Sequence, residues 1–336
     1  MSKIKILIFE YITSGGLNNS ELPESLAKEG LLMLQSLVND LTKLSHIELH
    51  IMLDVRMLGK LTHSTINIHT IRPDQNCHQE FTRITKTCDA VWPIAPENAG
   101  ILHSLCQTVE HSDKYLLNSN AGAVAITGNK WLTYQHLLNH SINTVETAKC
   151  ADFAWTSGRW VLKPVDGVGC EESYCVANQE EYMTITSILY RDNYIVQPHI
   201  QGNKISLSCL FKQGRGWLIS ANRQHFELKD KQYRLTGITV NFTVSTSKYL
   251  SLVDAIATAM PDLWGYVGID LIETDQQIYV LEINPRLTTS YAGISKALGI
   301  NCASAVLELL KGDPQPKPTC NQPIHISITD KENHAD

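Results

Sequence analysis

The chain has 336 residues, 43% apolar and 18% charged, a globular balance over a length that needs two or three packed units. A net charge of −6 argues against a dedicated nucleic-acid binder, which carries a basic excess. No apolar run reaches the roughly 18 residues of a membrane span, and the opening KIKILIFEY is too short and strand-like for a signal peptide, so the cytosol is the expected compartment.

In chain order, the first third alternates strands and helices. Strands are expected over residues 3–11, 46–53, 65–71, 89–94 and 114–118. Helices are expected over 23–44, 77–87 and 98–111; the first carries Leu26, Gly30, Met33, Leu34, Leu37, Val38 and Leu41 on one face. This alternation predicts a parallel sheet covered on both faces, an N-terminal α/β domain over 1–118. No GxGxxG follows the first strand, so a Rossmann dinucleotide site is not supported. After residue 119 the order becomes mixed. Helices at 121–126 and 130–139 lead to strands at 160–164, 174–177 and 194–198, with a helix at 179–189 between the last two. Antiparallel strands follow at 205–212, 216–221 and 239–244, then a helix at 249–260, a hairpin over 265–284 and helices at 290–298 and 302–310. These are α+β units, divided at 119–197 and 198–311. Residues 312–336 read as a proline-rich connector and polar tail. The nine cysteines are scattered without a CxxC, which points to buried thiols rather than disulfides or a zinc site.

Four stretches could carry chemistry. The hairpin pairs GIDLIE (268–273) with IYVLEIN (278–284) and runs on into Pro285 and Arg286. Alternation places Glu282, Asn284 and Arg286 on one face, with Leu281 and Ile283 toward the core; a solvated strand face would show the same pattern. A three-residue turn at 275–277 sets Asp270 opposite Glu282 and Gly268 opposite Asn284, about 5 Å apart. A two-residue turn would pair Asp270 with Leu281 instead. Two carboxylates that close repel each other unless a cation lies between them, and hard oxygen ligands suit Mg²⁺ or Mn²⁺. In WVLKPVDGVGC, Lys163 precedes Gly167 and Gly169, either a phosphate-cradling loop or a plain turn, and not the Walker pattern. In YIVQPHIQG, Gln197, His199 and Ile200 form a linker with backbone groups able to meet a base edge. Arg223, in NRQ, could clamp a phosphate or form a surface ion pair.

Taken together, Lys130, Lys163 with its glycine loop, the linker, Arg223 and Asp270…Glu282-x-Asn284 resemble the ATP-grasp superfamily of carboxylate–amine ligases. KPVDGVGC, NRQ, EINPRLTTSY and the opening FEYITSGG look closest to the branch containing tyramine–glutamate ligase of methanofuran biosynthesis. The resemblance implies a nucleotide cleft between two α+β subdomains. It gives Lys130 and Lys163 to the ATP phosphates, and Gly167, Val168, Gly169 and Cys170 to the loop over them. Gln197, His199 and Ile200 would line the adenine slot, the last two through backbone groups. Asp270, Glu282 and Asn284 would hold Mg²⁺ (or Mn²⁺). Arg223 and Arg286 would steady the transferred phosphoryl group and the acyl phosphate. Lys204 stands where such enzymes usually place an acid on the ribose hydroxyls. The implied partners are small-molecule carboxylic acid and amine substrates, with no nucleic acid and no membrane; a homodimer is compatible with this reading. The alternatives are a ligase for a different amino acid or a pterin-type acid, a non-catalytic ATP-binding protein, and a small-molecule kinase.

Overall fold

The computed structural model describes residues 3–61, 66–167, 172–229, 231–243 and 245–328. Five parallel strands, β1 (Ile4–Glu10), β2 (Ile47–Asp54), β3 (Ile66–Ile71), β4 (Ala90–Ile94) and β5 (Tyr115–Leu116), form the N-terminal sheet in the order β3-β2-β1-β4-β5. Both faces of β1 are apolar and both are covered. Ile6 and Ile8 pack with helix α1 (Glu24–Leu41), whereas Leu7 and Phe9 pack with α2 (Cys77–Thr85) and α3 (Ile101–His111). This is the parallel α/β layer expected from the alternation.

Two short helices follow, α4 (Ala121–Thr127) and α5 (Lys130–Asn139). The Asn129 side chain caps α5 by accepting from the Leu132 N–H at 3.0 Å, which fixes Lys130 in the first turn. Next comes a small antiparallel sheet of β6 (Ala148–Lys149), β7 (Trp160–Pro164), β8 (Tyr174–Val176) and β9 (Tyr194–Pro198), backed by α6 (Gln179–Thr186). The third unit is built on β10 (Asn203–Lys212), β11 (Arg215–Lys229), β12 (Gln232–Val240), α7 (Ser247–Ala259), β13 (Gly265–Glu273) and β14 (Ile278–Asn284). It ends with α8 (Tyr291–Leu298), α9 (Cys302–Glu308) and β15 (Ile324–Ser327). Among the described residues its sheet pairs with the small one at Gln232 and Tyr174, and a cavity opens between the two α+β units.

The packing divides the chain differently from the expected boundaries. Ala121 and Val124 of α4 join the core of the N-terminal domain, and Leu137 of α5 joins the core under α7. The small sheet has its own core of Cys150, Leu162, Val176, Tyr182, Tyr194 and Val196. Helices α8 and α9 share one core with α1, so the first and third units form one packed body. The segment read as a proline-rich connector and polar tail contains β15, which pairs with β12. Strand β11 continues to Lys229, well past its apolar half, because it pairs with β12 rather than with a core. Every described cysteine is a free thiol, and among the described residues no helix is long and apolar enough to cross a membrane.

One buried polar contact ties the two halves together. The Tyr291 hydroxyl of α8 donates to Asp40 of α1 at 2.9 Å, and burial pushes the Asp40 carboxyl above its usual range. Tyr291→Phe leaves that buried carboxylate one donor short. It should lower the unfolding free energy by about 1–3 kcal/mol, measured by urea denaturation, whereas an unchanged midpoint would mean that the contact carries no net stability.

Candidate active site

The hairpin places Asp270 opposite Glu282 and Gly268 opposite Asn284, the register expected from the sequence. The route to that register differs. The turn is longer than expected: Glu273 pairs with Ile278, and the Thr274 N–H donates to the Gln277 carbonyl at 3.0 Å. A bulge at Leu281 then absorbs one residue and restores the pairing at the site. It also corrects the expected core face. Val280 and Ile283 are buried and Leu281 is not part of the core. Gly268 admits the 287–290 segment, since a Cβ there would lie 2.5 Å from Thr288 Cγ2.

The side chains around Asp270 answer its charge. Gln224 Nε2 donates to one oxygen at 3.1 Å and Asn284 Nδ2 to the other at 3.2 Å. Burial, followed by repulsion from Glu282, still pushes its carboxyl up to about 7. Glu282 is met by Lys130 Nζ at 3.2 Å, and the same ammonium donates to the Gly167 carbonyl. Helix α5, packed in the same core as the hairpin, therefore brings a cation onto Glu282. Arg286 is buried nearby with Nε and Nη2 each 2.9 Å from a Glu97 oxygen; that pairing outweighs burial and raises the guanidinium pKa. Glu97 comes from the N-terminal domain and carried no signal in the sequence.

A cavity of about 440 Å³ opens beside this platform, lined by His199, Ile200, Lys204, Gln224 and Tyr233. Gln224 belongs to both the cavity and the Asp270 cluster, so the two are continuous. The His199 backbone N–H donates to the Arg159 carbonyl at 2.8 Å and is committed to the sheet. The His199 ring meets the Tyr233 hydroxyl at 2.6 Å, and burial together with Lys204 and Arg159 lowers its pKa. Gln197 is buried, its amide donating to Thr147 Oγ1 at 2.9 Å. Lys163 lies on the same face of the small sheet as Gln197, because Val161 pairs with Gln197 and Lys163 with Ile195. Of the expected loop residues, Gly167 is described; Val168, Gly169 and Cys170 lie outside the described residues.

Arg223 is turned differently from its two neighbours. Its neighbours Asn222 and Gln224 point to the Asp270 side, where Asn222 contacts Ser206 and Ser208. Alternation turns Arg223 to the opposite face, over the Phe242 ring at 4.8 Å. Arg223 still lines the cavity beside Gln224, but Gln224 is the NRQ side chain that bonds Asp270.

Residues 127–290 match the family model described as the ATP-grasp domain, and residues 47–124 match that of the pre ATP-grasp 3 domain. The chain belongs to the ATP-grasp superfamily. Over 291 residues it is 25% identical to a tyramine–L-glutamate ligase of Methanocaldococcus fervens, spanning 86% of this chain and 89% of that one. A crystal structure of an ATP-grasp superfamily protein from Archaeoglobus fulgidus aligns with a TM-score of 0.74 at 23% identity, covering 97% of this chain and 92% of the other. An L-amino acid ligase from Bacillus licheniformis aligns with a TM-score of 0.65 at 15% identity, over 94% and 78%. The two structures establish the shared fold.

Among the described residues no group of three His, Cys, Asp or Glu side chains gathers in one place. The candidate ATP-grasp metal site instead offers two carboxylates and one amide. Its excess negative charge, its raised Asp270 and a lysine already drawn onto Glu282 suit a hard divalent cation.

The raised Asp270 carboxyl has a consequence for stability. Between the ordinary carboxylate range and about pH 7 the folded protein keeps a proton that the unfolded chain releases, so this group costs stability as pH rises. In metal-free urea unfolding, Asp270→Asn should be more stable than wild type at pH 8, with the advantage vanishing toward pH 4. An equal difference at both pH values would show that the carboxyl is not held in its neutral form by the fold.

Proposed function

We propose that this ATP-dependent carbon–nitrogen ligase forms an amide by way of an acyl phosphate, with glutamate as the acid and tyramine or a related aromatic amine as the nucleophile, in a methanofuran-type cofactor pathway. The observation that carries the chemistry is the Asp270–Glu282 pair, an excess of negative charge bridged on one side by Lys130 and flanked by Arg286. The similarity to tyramine–L-glutamate ligase over most of both chains supports the choice of substrates.

In this reading Asp270, Glu282 and Asn284 would hold Mg²⁺ or Mn²⁺, which would supply charge neutralisation for the phosphates. The base and ribose occupy the cavity at His199, Ile200 and Lys204, and Gln197 stiffens the adjoining strand through Thr147. Lys130 and Lys163 face the phosphates. Lys130 exchanges its contacts with Glu282 and Gly167 for phosphate oxygens when ATP binds. A substrate carboxylate oxygen attacks the γ-phosphorus as the bond to ADP breaks. The amine nitrogen then attacks the acyl carbon, phosphate leaves, and the extra proton passes to solvent. Arg286 donates to the moving phosphoryl oxygens. Positioning and charge carry the rate, and no side chain serves as a nucleophile.

ADP release is measured with glutamate and tyramine together, with each omitted, and with other amino acids, a pterin-type acid and other amines. Hydroxylamine replaces the amine in a parallel series. ADP formation that requires glutamate plus an amine, and a glutamyl hydroxamate in the trap, are the expected results. Turnover with another acid moves the substrate. A stable phosphorylated product indicates a kinase, and ATP binding without ADP in any mixture indicates a non-catalytic binder.

Lys204 tests the ribose end of the cavity. An ammonium can donate to the ribose hydroxyls but cannot accept from them. Lys204→Glu should bind ATP several-fold tighter by calorimetry, with a smaller gain for the 2′,3′-dideoxy analogue. Equal gains for both nucleotides would place the ribose elsewhere.

A further inference from the structure

Glu97 stands in the turn Pro96-Glu97-Asn98-Ala99-Gly100, at the carboxyl end of β4, where a parallel sheet collects its working loops. Three parts of the molecule converge on this turn. Arg286 donates two charge-assisted hydrogen bonds of 2.9 Å to the Glu97 carboxylate, fork to fork. The Ala99 N–H donates to Asp166, just before Gly167, at 2.8 Å. The α4–α5 junction closes from a third side: a Cβ on Gly128 would lie 2.9 Å from the Val124 carbonyl and 3.1 Å from Glu97 Cβ. Ala99 holds a φ of 50° there, a conformation that costs a non-glycine residue energy and persists where its surroundings over-determine it.

The pair is desolvated, with 5% of the Glu97 side chain and 14% of the Arg286 side chain exposed. Buried ion pairs of this kind contribute little net stability relative to apolar packing, so stability does not explain its presence. What the pair does is orient. Arg286 carries five N–H donors. Glu97 takes two and the Leu287 carbonyl takes a third at 3.2 Å, which leaves two in a fixed direction among the described residues. The guanidinium is close enough to influence the charges of both Asp270 and Glu282.

We propose that Glu97 is a positioning residue of the ligase reaction, holding the Arg286 guanidinium so that its two remaining N–H groups meet the transferring phosphoryl group. The proposal rests on the reading of the protein as a ligase and adds a residue from outside the ATP-grasp domain itself. A side chain of the N-terminal domain thereby completes the phosphoryl site, and the same turn receives Asp166 from the approach to the glycine loop.

The test uses Glu97→Gln, Glu97→Asp, Arg286→Ala and the Glu97→Gln/Arg286→Ala double variant in the full chain. Gln turns one acceptor into a donor facing an N–H, so the fork is lost. With the acid–amine pair that wild type uses, Glu97→Gln should lose about 100-fold in kcat, the order seen for misplaced catalytic groups, while KM for ATP stays near wild type. Glu97→Asp, which keeps the charge on a shorter arm, should retain more of the rate and serves as the readout if the Gln variant does not fold. The double variant should be no slower than Arg286→Ala alone. A wild-type kcat in Glu97→Gln, a loss confined to KM, or losses that multiply in the double variant would overturn the proposal. If wild type turns over no acid–amine pair, the ligase reading fails by itself. The same proteins are then titrated with ADP alone and with ADP plus aluminium fluoride, a mimic of the transferring phosphoryl group. Selective weakening of the fluoride complex in Glu97→Gln supports the positioning role, and equal affinities across the variants, absence of binding included, refute it.

Discussion

Two carboxylates facing each other across an antiparallel pair are the constraint on which the candidate site depends. Asp270 and Glu282 cannot both be charged at that separation without help, and the surroundings supply it from several directions. Two amides donate to Asp270, a lysine from α5 reaches Glu282, and an arginine stands behind both. These helpers come from separate elements of the fold. Bringing them together requires α5 to close over the hairpin and the N-terminal domain to close over Arg286.

That closure is built into the cores rather than into a flexible hinge. Helices α8 and α9 bury their apolar faces against α1, and Tyr291 anchors the contact by its bond to Asp40. The first and third units are therefore one body. The small sheet has its own core and, among the described residues, one backbone pairing to β12, so it is the part joined least firmly. The cavity lies at that junction, lined from one side by His199 and Ile200 and from the other by Gln224 and Tyr233.

Much of this was legible in the sequence because short-range patterns carry it. The alternation of strands and helices gave the parallel sheet. Glycines, lysines and the Asp…Glu-x-Asn spacing brought the family into view. The pairing of Asp270 with Glu282 followed from alternation plus a guessed turn, although the chain reaches it through a longer turn and a bulge at Leu281, an offset that no local pattern announces. Arg223 shows the same limit from the other side: at the end of an apolar strand it looked suited to phosphate, yet the side-chain period of two turns it from the Asp270 face and leaves Gln224 to bond that carboxylate, while both residues line the cavity.

By itself the sequence determined which residues could share a strand face, which helices could cover a sheet, and which superfamily those patterns belong to. These properties depend on neighbours a few positions away. The tertiary structure alone decided that Glu97 meets Arg286 across 189 positions of chain, that α4 and α5 join cores other than that of the small sheet, and that the tail adds a strand beside β12. An isolated acid in a loop has no periodicity to betray its partner. Its role appears only when the packing of distant apolar faces brings a complementary charge within hydrogen-bonding distance and removes the water between them.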